Sequence, residues 1–227
     1  MIGAIVGDVI GSVFERSSTK EKTFQLFHES DRPTDDTVLT VAVANAILAG
    51  DGRPSIADYT DNLREIARKY PRAGYGGSFR RWFAADTQDP YNSWGNGSAM
   101  RASPVGWAFG TEQDVLEQAM RSAEPTHNHP EGIKGAQAVA LAVFLARTGA
   151  KKDDIRRKIS AHFDYNLDRT IEQIRPGYQF EVSCQKSVPE AIIAFLDSLD
   201  FEDALRNAIS LGGDADTQGC IAGAIAE

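Results

Sequence analysis

Residues 2–13, Ile-Gly-Ala-Ile-Val-Gly-Asp-Val-Ile-Gly-Ser-Val, decide how the chain folds. Ile2, Ile5, Val6, Val9, Ile10 and Val13 recur at helical spacing, while Gly3, Gly7 and Gly11 form a second row four residues apart. Each glycine inside a helix costs up to about 1 kcal/mol against Ala, so a row of three implies that another backbone or a ligand approaches closely along that face. The segment is therefore expected to be a central helix. It carries no basic leader and no small-residue cleavage site, and Asp8 interrupts its apolar run, so it reads as neither a signal peptide nor a membrane span.

Outward from this helix the same periodicity repeats. Thr34-Asp35-Asp36-Thr37 precedes an apolar run from Val38 to Leu48 that Gly50 ends, which makes Thr34 or Asp35 a candidate N-cap. Helical patterns follow at Ser55–Tyr70, Glu112–Ser122, Glu131–Arg147, Lys152–His162, Pro189–Leu199 and Phe201–Ser210, with another beyond Asp216. Segments rich in Gly, Asn, Pro and Ser, notably Ala73–Phe79 and Tyr91–Gly106, read as loops, and no strand alternation stands out. The expected fold class is all-α, a compact orthogonal helical bundle with its chemistry on loops and helix starts.

A chain of 227 residues suits one domain, and no linker or repeat divides residues 1–227. Its final apolar pattern, Gly219–Ala226, has no stop signal, so the natural chain is expected to extend further. A net charge of -8 repels a phosphate backbone over most of the surface and argues against general nucleic-acid binding. Two cysteines, with Cys220 in a Gly-rich apolar stretch, suggest buried thiols in a reducing cytoplasm instead of a disulfide framework. A monomer with no membrane attachment is the expectation.

Two acidic clusters carry the chemistry: Thr34-Asp35-Asp36, and Asp214-Ala215-Asp216-Thr217 after Gly212-Gly213. Either one alone reads as an ordinary N-cap whose acids complement a helix dipole. A cap needs only one acceptor, however, and the surplus like charges repel unless a cation neutralises them. Hard divalent cations prefer such oxygen ligands, and carboxylates from distant segments can hold a pair of ions about 3.5–4 Å apart. Together the two clusters favour a metal site.

The ordered motifs resemble the ADP-ribosylglycohydrolase family across nearly the whole chain. They are Gly-Asp-x-x-Gly-Ser at Gly7–Ser12 with Glu15, Thr-Asp-Asp-Thr at Thr34–Thr37, Gly-Tyr-Gly at Gly74–Gly76, Asn-Gly-Ser-Ala-Met-Arg at Asn96–Arg101, Thr126-His127, and Gly-Gly-Asp-Ala-Asp-Thr at Gly212–Thr217. The resemblance implies an all-α fold with a central binuclear cleft, usually holding Mg²⁺ and in some members Mn²⁺. It puts Thr34, Asp35, Asp36, Asp214, Asp216 and Thr217 on the metals, and Glu15 beside them as a mobile acid. It puts Gly74, Tyr75 and Gly76, together with Asn96, Gly97, Ser98 and Met100, around the ribose and diphosphate of ADP-ribose. The chain is shorter than typical members of the family.

His127 matches a family position near the ribose, and equally reads as part of a capped helix entry. Arg101 either faces a phosphate or pairs with a surface acid. Tyr178 and Phe180 suit stacking on adenine or, as aromatics more often do, the core. The implied reaction releases ADP-ribose from its acceptor, such as an ADP-ribosylated protein side chain, with Glu15, Asp35, Asp36 and Asp216 as candidate catalytic acids and bases. The competing readings are a module that binds ADP-ribose without cleaving it, and a two-metal phosphohydrolase that attacks the diphosphate.

Overall fold

A computed structural model describes residues 1–85, 87 and 89–227, and among them every regular element is helical. The elements are α1 Ile2–Gly11, α2 Asp35–Ala49, α3 Ile56–Lys69, α4 Gly77–Ala84, α5 Ser103–Ala108, α6 Glu112–Ala123, α7 Pro130–Arg147, α8 Lys152–Phe163, α9 Ile171–Ile174, α10 Cys184–Leu196, α11 Phe201–Ile209 and α12 Ala215–Ala226, with a 3₁₀ turn at Asn96–Ser98. Extended pairing is limited, among the described residues, to an isolated bridge between Gly95 and Ser183. None of the described helices is long and apolar enough to cross a membrane.

The glycine row of α1 meets another backbone, as its spacing demands. A Cβ on Gly3, Gly7 or Gly11 would overlap the carbonyl oxygens of Gly223, Gly219 and Ala215 respectively. The pairing runs antiparallel, so the C-terminal end of α1 lies beside the N-terminal end of α12. The central element is α12 itself. Its residues Ala215–Ile225 are all buried, Asp216, Thr217 and Gln218 of the first turn included, and α1, α2, α5, α7, α10 and α11 pack around it. Helix α1 buries only the face formed by Gly3, Ala4, Gly7, Asp8, Ile10 and Gly11, and Ile2 is exposed. Because the Gly7 Cβ would strike backbone, Gly7→Ala is expected to destabilise the fold by about 3 kcal/mol, the upper end of overpacking costs. A urea midpoint equal to wild type would contradict this contact.

Capping sets most boundaries. Thr34 accepts from the Asp36 N–H at 3.3 Å, and Ser55 with Asp58 forms a full capping box at α3. The penultimate long helix differs from the sequence expectation. It begins at Cys184, with Pro189 inside it, and stops at Leu196. Burial of Val188–Leu196 outweighs the bond that Pro189 cannot donate. At the other end Lys152 Nζ donates to the carbonyls of Phe195 (2.8 Å) and Ser198 (2.5 Å), closing the helix before the 92% exposed Leu199. Two segments read as loops contain helices. Helix α4 buries Phe79, Trp82 and Phe83 at i, i+3 and i+4, and α5 starts with Pro104 in its first turn.

Candidate active site

The antiparallel packing of α1 on α12 brings three chain segments to one place: the end of α1 with Glu15, the start of α2 with Asp35 and Asp36, and the start of α12 with Asp214 and Asp216. Asp8 joins them. Its Oδ2 accepts from the N–H groups of Thr34 (2.9 Å) and Thr37 (3.0 Å) and from the Thr37 hydroxyl, while Oδ1 accepts from Thr34 Oγ1 at 2.6 Å. An acid from α1 thus satisfies donors at the N-terminus of α2 and fixes the Thr34–Thr37 turn against the first helix.

The acids fall into two overlapping groups. Oxygens of Asp8, Asp36 and Asp216 lie within 4.8 Å of one another, as do those of Glu15, Asp214 and Asp216. Asp216 belongs to both. Its Oδ1 accepts from the Thr217 N–H at 2.9 Å, and Asp214 Oδ2 accepts from Asn96 Nδ2 at 2.7 Å. Asp36 Oδ1 is buried with no hydrogen-bond partner. Among the described residues none of these acids, nor Asp35, forms an ion pair.

Burial, and after it mutual repulsion, governs their charge. Asp36 and Asp216 are pushed well above the ordinary carboxylate value of 3.8 by burial first and then by neighbouring acids. Asp35 is raised to about 7 by burial, reinforced by Asp8, Asp214 and Glu15. Asp8 and Asp214 rise for the same first reason, opposed by their hydrogen bonds. A folded state with raised carboxyl pKa values holds protons that the unfolded chain has released, so its stability is full below the ordinary value and is lost as pH climbs through the raised one. Chelator-treated protein is therefore expected to melt lower at about pH 8 than at about pH 5.5, and saturating Mg²⁺ should remove the difference. Metal-free melting that rises over this interval would show that the acids are ionised without penalty.

A cleft of about 400 Å³ opens at these acids. Glu15, Asp35, Asp36, Asp214, Asp216 and Thr217 line it, as do Gly74, Gly76, Asn96, Gly97, Met100 and His127. Gly74 adopts φ +113°, which favours glycine, and a Cβ there would lie 3.1 Å from Asp35 Oδ1 and press on that carboxylate. Three expected site residues do not line the cleft. The Thr34 hydroxyl is turned to Asp8, 5% exposed, although it stays 3.4 Å from Asp36 Oδ2. The Tyr75 ring is buried, stacked on Phe79 with centroids 5.3 Å apart, and its hydroxyl has no partner. Ser98 is buried and donates to the Gly132 carbonyl at 2.7 Å.

The Asn96–Met100 wall is pinned from two sides. Ser93 N–H donates to the Thr126 carbonyl (3.2 Å), Asn96 N–H to Val182 (2.7 Å) and Cys184 N–H to Trp94 (2.9 Å). The cap of α7 is His129, whose Nδ1 accepts from the Glu131 N–H at 3.1 Å, leaving His127 in the cleft wall. Arg101 is among the cleft-lining residues yet fully buried, and with no acid paired to it among the described residues it is not the surface ion pair that the second reading expected. Phe180 lines the cleft at 57% exposure, whereas Tyr178 packs on the core with its hydroxyl donating to the Lys186 carbonyl at 2.9 Å. Tyr91, Val182 and the anchoring Asp8 are additions from the structure. For Asp8 the available signal was a lone acid inside an otherwise apolar, glycine-rich helix.

A sequence profile described as ADP-ribosylglycohydrolase matches residues 1–226. The chain is 27% identical over 301 residues to the ADP-ribosylhydrolase ARH3 of Mus musculus, covering 100% of this chain and 81% of that protein. It is 25% identical over 249 residues to the ADP-ribosyl-dinitrogen reductase glycohydrolase of Rhodospirillum rubrum, covering 99% and 82%. A solved structure of an ADP-ribosylglycohydrolase-related protein complex superposes with a TM-score of 0.76 at 27% identity, covering 99% of this chain and 83% of that one. The chain belongs to the ADP-ribosylglycohydrolase family and is a glycohydrolase.

Proposed function

We propose that this family member, with residues 1–227 acting as one domain, hydrolyses the glycosidic bond between ADP-ribose and its acceptor with the help of two divalent cations. The observation that carries this reading is the two carboxylate clusters sharing Asp216, all buried but the half-buried Glu15, with no basic partner among the described residues. The donor set is oxygen throughout and includes the orphaned Asp36 Oδ1, which fits a hard cation, Mg²⁺ first and Mn²⁺ second. Thr34, Asp35, Asp36, Asp214, Asp216 and Thr217 would hold the ions. Bound there, two cations would supply positive charge that orients ribose hydroxyls and makes water a nucleophile near neutral pH.

The chain's own groups supply the remainder. Departure of the acceptor builds oxocarbenium character at the anomeric carbon, and Glu15, in the cleft lining beside Asp214 and Asp216, takes a proton from the attacking water. Backbone at Gly74–Gly76 and Asn96–Gly97 receives the diphosphate, because N–H groups without Cβ neighbours can approach phosphate oxygens. His127 donates to a ligand oxygen, and exposed Phe180 offers a face for adenine.

Free ADP-ribose should raise the melting temperature of the metal-loaded protein by mass action. An equal shift in excess chelator would remove the cations from ligand binding, and no shift under either condition would count against ADP-ribose as the ligand.

A further inference from the structure

The Arg101 side chain is an anomaly in the core. It is 0% exposed, and only its Nη2 donates, to the Ser122 carbonyl at 3.1 Å and to Thr126 Oγ1 at 2.9 Å, while Nε and Nη1 have no partner. A buried cation without a counter-ion is costly, and burial pushes this guanidinium down to about 10, still charged at neutral pH. Arg101 belongs to the cleft wall, but its Nε and Nη1 are enclosed and its side-chain contact is with Thr126, next to His127. It acts one step away.

Donor counting shows how. A guanidinium can only donate, so Thr126 Oγ1 accepts from Arg101 and keeps its own hydrogen to give. The partner in reach is His127 Nδ1, 2.7 Å away. Tyr91 is also hydrogen-bonded to Thr126 and keeps its own proton through burial; given to the second lone pair of Thr126 Oγ1, that proton fills the oxygen's two acceptor places and leaves the threonine hydrogen for His127. An imidazole nitrogen that accepts carries no proton, which in a neutral ring puts the hydrogen on Nε2. Burial and the nearby Arg101 charge hold His127 well below its ordinary value, so the ring is neutral. The Nε2 atom has no protein partner among the described residues, and a Cβ on Gly97 would sit 3.3 Å from it. The glycine leaves open space in front of that nitrogen.

We propose that Arg101 is a positioning residue: through Thr126 it locks His127 as the Nε2–H tautomer, a fixed neutral donor aimed at an oxygen lone pair of the ligand. This rests on the glycohydrolase reading only for the identity of the ligand. The tautomer is a property of the empty protein.

Long-range ¹H–¹⁵N correlation of the histidine rings, with His127→Gln to assign the signal, reads the tautomer at neutral pH without substrate. Wild type should show a protonated Nε2 and an unprotonated Nδ1. Thr126→Val should lose that single form and weaken ADP-ribose binding by about 10-fold, the scale of one neutral hydrogen bond, while Thr126→Ser restores both. A wild-type ring protonated on Nδ1, or on both nitrogens, would overturn the relay. So would Thr126→Val that keeps the Nε2–H form and wild-type affinity, whatever happens to its melting temperature. If the tautomer is as expected but wild type binds no ADP-ribose, the relay stands and the ligand assignment falls.

Discussion

Asp216→Asn is expected to lose divalent-cation binding at both positions and to lower turnover by at least about 10²–10³-fold, while the metal-free protein melts higher than wild type. The first effect follows from geometry, because Asp216 is the member common to both carboxylate groups. The second follows from electrostatics. Burial and the neighbouring Asp214 and Glu15 disfavour its charged form, so a neutral amide of nearly the same shape relieves repulsion that only a cation otherwise neutralises. A gain in stability with a loss of function marks a site kept for chemistry against the interest of the fold. Calorimetric titration with Mg²⁺ and Mn²⁺, paired with melting in chelator, separates the alternatives. Full cation affinity in the variant would return Asp216 to the role of a helix-start acid.

Glu15→Gln should lower kcat by roughly 10²–10⁴, the range for losing a general acid or base, with ADP-ribose still bound. Glu15 lies half-buried in the turn after α1 and lines the cleft, and an amide there keeps the shape while removing the basic oxygen. Single-turnover rates and binding isotherms measured on the same preparation distinguish chemistry from affinity. Wild-type turnover with metal occupancy confirmed would exclude Glu15 as the base and leave Asp35, Asp36 and Asp216 as candidates.

Much of the fold was legible because its strongest constraints are local. The Gly3, Gly7 and Gly11 row demanded a close backbone, and the partner is a second small-residue row, Ala215, Gly219 and Gly223. Which helix is enclosed was not legible, since α1 and α12 read alike and only packing puts solvent near one of them. Pro189 misplaced a helix start because tertiary burial outweighed a local rule. The short α4 was hidden by its glycines, although Phe79, Trp82 and Phe83 carried the helical period.

The cleft was legible where acids and glycines had to be placed together, and most of the expected positions line it. Tyr75 and Ser98 do not, because a motif names the loop and not the direction in which each side chain points. Asp8 and the Arg101–Thr126–His127 chain depend on contacts between distant segments, beyond the reach of spacing alone.

Mass spectrometry of the products from ADP-ribosylated arginine, serine and nucleic-acid-end substrates, incubated with Mg²⁺ or Mn²⁺ and in parallel with chelator, tests the central claim most directly. Cleavage at the anomeric carbon predicts intact ADP-ribose and the unmodified acceptor from at least one substrate, with the reaction abolished by chelation. Release of AMP with a phosphoribosyl group left on the acceptor, or ADP-ribose formed equally fast in chelator, would contradict it.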